Sequence, residues 1–391
     1  MRILHVFDIF SPEGGGTVPL LHDLSIAQAR SGHEVIIYTS DFKLDKAYIA
    51  SASEVKVYPF HSVSSLGRLQ ITPSLIQAAK QNLKGFDIIH MHCARSFQNI
   101  VIHHYARQYH IPYVVEHQGS LPRKAAGETA PKWLLRWLFD IIFGYRILNE
   151  AARIVLTNEF SVREYNAFGA RNRKITVIPH YFKVDDFINL PPRGQFRSRY
   201  KISEKKIILF LGRINRIKGL DMLAESFSEL SRINPNVVLV IAGPDDGYRT
   251  ALEKLVIDLG LSNHVLFTGF ISGQDKMAAL VDADLLVQPS RYDESPLAPI
   301  EALLCGTPVL ISSNTGGAED ILKMNAGYTV EFGKGGQFAP LVNSLLADPS
   351  EAKEKARRGN EYVRANLSLS KIVKVYESLY QDCLRETRLR V

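Results

Sequence analysis

Short runs rich in β-branched residues alternate with longer amphipathic stretches along most of the chain. Ile3–Phe7, Glu34–Thr39, Val55–Tyr58, Ile88–Met91, Tyr113–Glu116, Arg153–Thr157 and Ile175–Ile178 read as strands. Val18–Ser31, Pro73–Asn82 and Ser96–Tyr109, between them, carry apolar residues at helical spacing. Such alternation predicts a parallel sheet covered by helices. The pattern breaks at Asn189–Lys201, which is basic, proline-bearing and aperiodic, and predicts a linker running into a short helix. A second alternating series follows, with strands at Ile207–Leu211, Val237–Ala242, Val265–Thr268, Leu285–Gln288, Val309–Ser312 and Gly327–Val330. Its helices include Leu220–Ile233, Thr250–Leu259 and Gln274–Val281, and Leu369–Leu384 reads as a final helix. The expectation is an α/β protein of two Rossmann-like doubly wound domains facing a cleft, divided as residues 1–190 and 191–370.

Length agrees, since 391 residues exceed what one hydrophobic core usually holds. Hydrophobic residues make up 46% and charged residues 22%, as in ordinary globular proteins. Cys93, Cys305 and Cys383 lie too far apart in sequence for a metal motif. Met1–Phe7 reads as a strand rather than a leader, so a reducing cytoplasm is the expected compartment. No run of about 20 apolar residues predicts a membrane span; Arg136, Asp140 and Arg146 interrupt the closest candidate, Trp133–Leu148. A net charge of +7 suits an anionic partner such as a nucleotide, a lipid phosphate or a membrane surface, and no nucleic-acid partner is expected.

The richest stretch for chemistry is Gln288–Leu310: strand end, acidic loop, short helix, glycine stop, next strand. Asp293 and Glu294 stand in the loop and Glu301 on the helix, at the strand edge where open α/β sheets bind ligands. Acid oxygens there suit sugar or ribose hydroxyls. Ser295 as N-cap with Pro296 at the first helical position is the expected helix start. Gly212–Asp221 follows the first strand of the second series, and Arg213 and Lys218 flank a turn into a helix. Two cations beside a helix N-terminus predict a pyrophosphate site. Gly243, Phe270 and Leu297 sit at neighbouring strand exits and complete the expected donor-binding set. Gly14–Gly16 after the first strand permits close approach of a ligand, which adds Gly15 and Gly16 to that set. It lacks the spacing of a nicotinamide fingerprint. Asp282 and Asp284 fall at the N-terminal end of a strand, so no metal is expected there, and no cofactor is expected beyond the substrate. His117 and Gln118 leave the strand Tyr113–Glu116 as candidates to reach a leaving phosphate or a sugar hydroxyl. His90 and His92 read as core residues.

Taken together these residues resemble retaining glycosyltransferases of family 4, of GT-B fold, over nearly the whole chain. The resemblance rests on Gly14–Gly16, Gly212-Arg213 with Lys218-Gly219, Ala242–Pro244, Pro289–Tyr292, Glu301-Ala302 with Gly306–Val309, and Gly316-Gly317 with Glu319. It implies a nucleotide-diphosphate sugar donor bound mainly by the second domain. Arg213 and Lys218 would hold the diphosphate and Glu301 the ribose, and the first acid of a Glu-x7-Glu motif would touch the donor sugar. It also implies retention of anomeric configuration, a glycan or polyprenyl- or lipid-linked acceptor on the first domain, and a final helix, about residues 371–391, crossing back to that domain. Eight residues before Glu301 stands Asp293, and Glu294 is at seven; the register of Pro289–Tyr292 favours Asp293. Gln118 holds the slot where many relatives place a histidine, with His117 one residue early.

Two other readings are compatible with these motifs: a nucleotide-sugar epimerase of the same fold, and a non-catalytic nucleotide-sugar-binding protein, motivated by the altered acid and the His–Gln shift. The aromatic and basic residues Arg123, Lys124, Lys132, Trp133, Arg136, Trp137, Phe139 and Phe143 predict peripheral contact with an anionic membrane, on the inner face of the cell membrane.

Overall fold

The structure is a computed structural model that describes residues 1–12, 15–66, 69–93, 95–116, 130–170, 174–202, 205–332 and 336–389. Among them, strands β1 (Arg2–Val6), β2 (Glu34–Ser40), β3 (Lys56–Phe60), β4 (Ser64–Leu66), β5 (Leu69–Ile71), β6 (Ile88–His92), β7 (Tyr113–Glu116), β8 (Arg153–Leu156) and β9 (Ile175–Val177) lie in the first half. The second half carries β10 (Lys206–Leu211), β11 (Val237–Ala242), β12 (Val265–Gly269), β13 (Leu285–Gln288), β14 (Val309–Ser312) and β15 (Tyr328–Val330). The chain divides into two compact units. One comprises the described residues up to Phe182 together with those from Leu367 onward, and the other comprises Lys183–Asn366.

Each unit is a doubly wound parallel sheet, in order β3-β2-β1-β6-β7-β8-β9 and β12-β11-β10-β13-β14-β15. Every pair in both sheets is parallel. Parallel strands need crossover helices, which cover both faces and bury the strands on both sides. That is why β11 reads as an unbroken apolar run, Val237–Ala242, buried throughout. In each sheet the winding reverses beside the first strand, between β1 and β6 and between β10 and β13. Strands that leave such a reversal diverge at their C-terminal ends and open a crevice. The antiparallel pair β4–β5 was not anticipated from the sequence; its strands are only three residues long, too short to register a period.

The core of the first unit contains an unusual polar set. His5 on β1 and His90 and His92 on β6 are fully or almost fully buried, with Glu116 at the end of β7. His90 and His92, two apart on one strand, face the same side. The final helix, Leu369–Arg388, covers that side with Tyr376 and Tyr380. His92 Nε2 lies 3.0 Å from His5 Nδ1, His5 Nε2 is 2.8 Å from Gln28 Oε1, and Gln28 Nε2 donates to the Tyr380 hydroxyl at 3.4 Å. The Tyr380 hydroxyl sits 2.7 Å from His90 Nδ1, His90 Nε2 is 3.0 Å from Glu116 Oε2, and Tyr376 donates to the same oxygen at 2.9 Å. With His5 and His90 neutral and Nε2 protonated on all three imidazoles, the contacts through His5, Gln28 and Tyr380 each have a donor facing an acceptor, whereas His90 Nε2 lies near Glu116 Oε2 without hydrogen-bond geometry. Burial pushes the His5 imidazole down to about 4, although Gln28 and Glu116 favour its protonated form. Burial, followed by the neighbouring His5, also holds His90 well below the ordinary histidine range.

Candidate active site

The site residues of the second unit stand on loops at the C-terminal edge of its sheet. After β10 the chain turns through Gly212 and Arg213. Asn215 then caps a single 3₁₀ turn, Arg216–Lys218, by accepting from the Ile217 N–H at 3.0 Å. Gly219 follows with φ 67° and starts the helix Leu220–Ile233. A side chain at Gly219 would collide with the Pro289 carbonyl oxygen. Only glycine lets the turn after β10 lie against the loop after β13. A side chain at Gly243 would likewise strike the Gly212 carbonyl oxygen, so the exits of β10 and β11 are in backbone contact.

The close approach of Gly219 to Pro289 brings Lys218 to Asp293. Lys218 Nζ lies 2.5 Å from Asp293 Oδ2, with the two side chains 17% and 14% exposed. Ser290 Oγ donates to the same oxygen at 3.2 Å and Gln288 Nε2 at 3.4 Å. The predicted cation and the favoured acid are therefore neighbours, at the reversal between β10 and β13. Arg213 pairs with Asp246 of the β11 exit at 2.5 Å, half in solvent, and Asn215 donates to the same carboxylate at 3.0 Å. Glu301, on the helix Leu297–Leu304, accepts from Lys276 Nζ at 2.7 Å. Glu294 is buried. The helix starts one residue later than expected: Pro296 is its N-cap and Leu297, partly buried, its first residue. Pro299 then falls in the first turn, where its missing N–H has no partner to lose.

Two further groups stand at the same edge of the sheet. The Gly316 N–H donates to the Asp293 carbonyl at 2.9 Å, which sets the N-terminus of the helix Gly316–Lys323 against the acidic loop. Helix N-termini carry partial positive charge and favour anions. Gly243 N–H donates to Gly269 O at 2.8 Å, and Phe270, the next residue, is 68% exposed. A large aromatic left in solvent at this edge offers a face to a flat ring.

Sequence reading missed three supports. Arg291 forms a two-pronged pair with Asp221 at 2.6 and 2.7 Å and reaches the Arg216 carbonyl at 2.9 Å, clamping the Lys218 turn to the acidic loop. Burial works against the Asp221 carboxylate, but the Arg291 guanidinium and the Met222 N–H outweigh it and hold the carboxyl below its ordinary range. Lys276 and Asp246 come from other strand exits; nothing in local spacing marks them as partners of Glu301 and Arg213.

Asp282 and Asp284 act as the linker's anchor. Asp282 accepts from the N–H groups of Gly194 and Arg197, and Asp284 pairs with Arg197 at 2.8 Å and Arg193 at 3.2 Å. In the first unit, Gly16 is the N-cap of the helix Thr17–Arg30, preceded by Gly15. Gly14, His117 and Gln118 lie outside the described residues.

Two family models match adjoining stretches: "Glycosyltransferase Family 4" residues 14–185, and "Glycosyl transferases group 1" residues 193–365. The N-acetyl-alpha-D-glucosaminyl L-malate synthase of Bacillus anthracis is 26% identical over 96% of both chains. A GDP-mannose-dependent alpha-(1-6)-phosphatidylinositol monomannoside mannosyltransferase of Mycolicibacterium smegmatis is 28% identical over 56% of this chain and 60% of its own length. Among solved structures, Anabaena HepE in complex with UDP superposes with a TM-score of 0.79 at 19% identity, covering 97% of this chain and all of that one. HepE has also been solved with UDP-glucose.

Proposed function

The chain belongs to the family 4 glycosyltransferases, of GT-B type, and we propose that it moves a sugar from a nucleoside-diphosphate sugar to a glycan or lipid-linked acceptor with retention of anomeric configuration. The observation that carries this reading is the 2.5 Å contact between Lys218 and Asp293 at the reversal of the second sheet. A cation for phosphate and an acid for sugar hydroxyls stand side by side where such sheets hold ligands. In the reaction, the bond between the anomeric carbon and the diphosphate oxygen breaks, and its electron pair leaves with the phosphate. The acceptor hydroxyl oxygen bonds to the same carbon on the same face, and its proton passes to a phosphate oxygen.

Lys218 and Arg213 neutralise the charge that grows on the leaving diphosphate, and the N-terminus of the helix Gly316–Lys323 adds to that field. An entering diphosphate draws Lys218 and Arg213 from Asp293 and Asp246, so in this reading the acids hold both cations in place until the donor arrives. Asp293 is thereby released toward the sugar. Glu301 accepts from the ribose, Phe270 faces the base, and Gly15, Gly16, Gly243 and Leu297 offer close backbone approach. The acceptor belongs to the first unit, with His117 or Gln118 at its reacting end. The reaction as written uses neither metal nor cofactor. The UDP-glucose bound by HepE supports a nucleotide-sugar donor, and the phosphatidylinositol monomannoside of the mycobacterial relative supports a lipid-borne acceptor; in this reading the transfer serves surface glycan synthesis at the cytoplasmic face of a membrane.

The test is a panel of nucleotide sugars, followed for nucleotide diphosphate release with and without membrane lipid extract. Acceptor-dependent release supports transfer; conversion of the donor to its epimer, or binding without turnover, overturns it. Proton NMR of the product's anomeric centre decides retention.

A further inference from the structure

The helix Ala130–Phe139 and the π-helical turn Asp140–Gly144 that extends it are amphipathic in the inverted sense. Trp133, Leu134, Leu135, Trp137, Leu138, Ile141 and Ile142, seven large apolar side chains within ten positions, are 38–58% exposed. At about 100° per residue they sweep one continuous outer arc of the helix. The charged residue that a solvated surface helix would show to water points inward instead. Asp140 is buried, and Arg95 donates to both its oxygens at 2.8 and 2.9 Å. The segment is rooted in the core of its unit through Ile147 and Leu148, with Phe143 packed on the same cluster.

We infer that this face is an interfacial anchor that lies in the surface of an anionic lipid bilayer. Three observations select that occupant. Between residues 133 and 146 the only acid is Asp140, already neutralised by Arg95, while Arg136 and Arg146 are both cations. A basic, acid-free border around an apolar stripe complements anionic headgroups. The stripe mixes both tryptophans with leucine and isoleucine, the composition suited to the boundary between headgroups and acyl chains. Its shape fits a plane rather than a second copy. A ten-residue helix presents a face about 15 Å long and 10 Å wide, well short of the ~800 Å² per partner that a stable dimer buries. No described helix is long and apolar enough to span a bilayer, so the contact is one of surface immersion. The inference deepens the reading of a lipid-borne acceptor, yet it is tested with neither donor nor acceptor present.

The chain contains two tryptophans, and both lie on this face, so tryptophan emission, excited at the red edge where the tyrosines do not absorb, reports on it alone. The full-length protein is titrated with vesicles of phosphatidylcholine and of phosphatidylcholine with phosphatidylglycerol, each with and without bromine-labelled acyl chains. The expected result is a blue shift on anionic vesicles, quenching by the brominated lipid, and weakening with added salt. The triple variant Leu134→Ser/Leu138→Ser/Ile141→Ser keeps both tryptophans and the unfolding temperature, and its vesicle partitioning falls by about 100-fold or more. Emission unchanged by every vesicle overturns the inference. Equal partitioning into neutral vesicles overturns the anionic surface. Emission already blue-shifted without lipid, with sedimentation at twice the monomer mass, assigns the face to a second copy instead.

Discussion

Replacing Lys218 with methionine separates what the Lys218–Asp293 pair does for the fold from what the lysine does for the reaction. Removing one partner from a fully buried pair costs about 3–5 kcal/mol, and an exposed pair is worth about 0–1 kcal/mol. Here the side chains are 17% and 14% exposed, and Asp293 keeps Ser290 and Gln288 as donors. The stability loss should therefore be about 2 kcal/mol, a fall in the unfolding temperature of roughly 5 °C. Adding Asp293→Asn should recover most of it, since no uncompensated charge then remains. Turnover should behave differently. Loss of a fixed charge that stabilises a leaving phosphate costs about 2.7–4 kcal/mol of barrier, a fall of about 100- to 1000-fold. Lys218→Arg, which keeps the charge, should recover part of the rate, whereas Asp293→Asn beside Lys218→Met should recover none. The assay is nucleotide diphosphate release at saturating donor, read beside urea unfolding of the same proteins. A Lys218→Met enzyme that turns over within about fivefold of the native protein refutes the phosphate role, whatever its stability.

Native His5 and His90 are neutral while unfolded imidazoles take a proton below about pH 6.5, so the unfolded chain binds more protons and stability falls with pH across that range. With His5 titrating at about 4, its share of the loss should reach roughly 3 kcal/mol near pH 4, and a urea midpoint as high at pH 5 as at pH 7 would contradict this. Gly219→Ala forces a left-handed conformation, about 1–2 kcal/mol, and drives a methyl into the Pro289 carbonyl. It should lower the unfolding temperature and the donor affinity together, and a variant that keeps native donor affinity by calorimetry counts against the contact. Phe270→Ala removes an exposed ring and should leave the unfolding temperature within a degree or two, yet weaken nucleotide binding about tenfold or more, since ring-on-base stacking is worth about 1–3 kcal/mol. Unchanged affinity would remove Phe270 from the base site.

The parallel strands were legible because a strand buried on both faces must be a short β-branched run, and such runs stand out between amphipathic helices. Tyr113–Glu116, Val237–Ala242, Leu285–Gln288 and Val309–Ser312 coincide with the observed strands, and the others differ by a residue or two at an end. Sheet order then follows from winding rules, which is how Lys218 and Asp293, 75 positions apart, could be expected at one edge. The partners of Arg213, Glu301 and Asp221 could not. Asp246 and Arg291 come from separate loops and Lys276 from the first turn of the helix Gly273–Asp282; their relative placement depends on backbone contacts such as Gly243 against Gly212, and no periodicity encodes those. The start of the acidic-loop helix was misjudged because serine is a good N-cap in general, whereas here the chain stays extended through Pro296. The aromatic and basic residues around 133–148 already predicted a segment presented to a surface, and most side chains from Trp133 to Ile142 are indeed exposed. What local spacing could not show is that Asp140 turns inward to pair with Arg95, a residue 45 positions away.

The first unit is not built from one continuous length of chain, because the helix that supplies Tyr376 and Tyr380 comes after the whole of the second unit. On the ribosome, where domains generally form in order of emergence, the usual sequence is therefore reversed. Lys183–Asn366 has every strand and helix it needs before Leu369–Arg388 is translated. Until then His5, His90 and Glu116 wait under an open face, a natural place for a chaperone to hold the nascent protein. The same logic makes a truncation before Leu369 damaging at the opposite end of the polypeptide, more than 270 positions away in sequence from the histidines it uncovers.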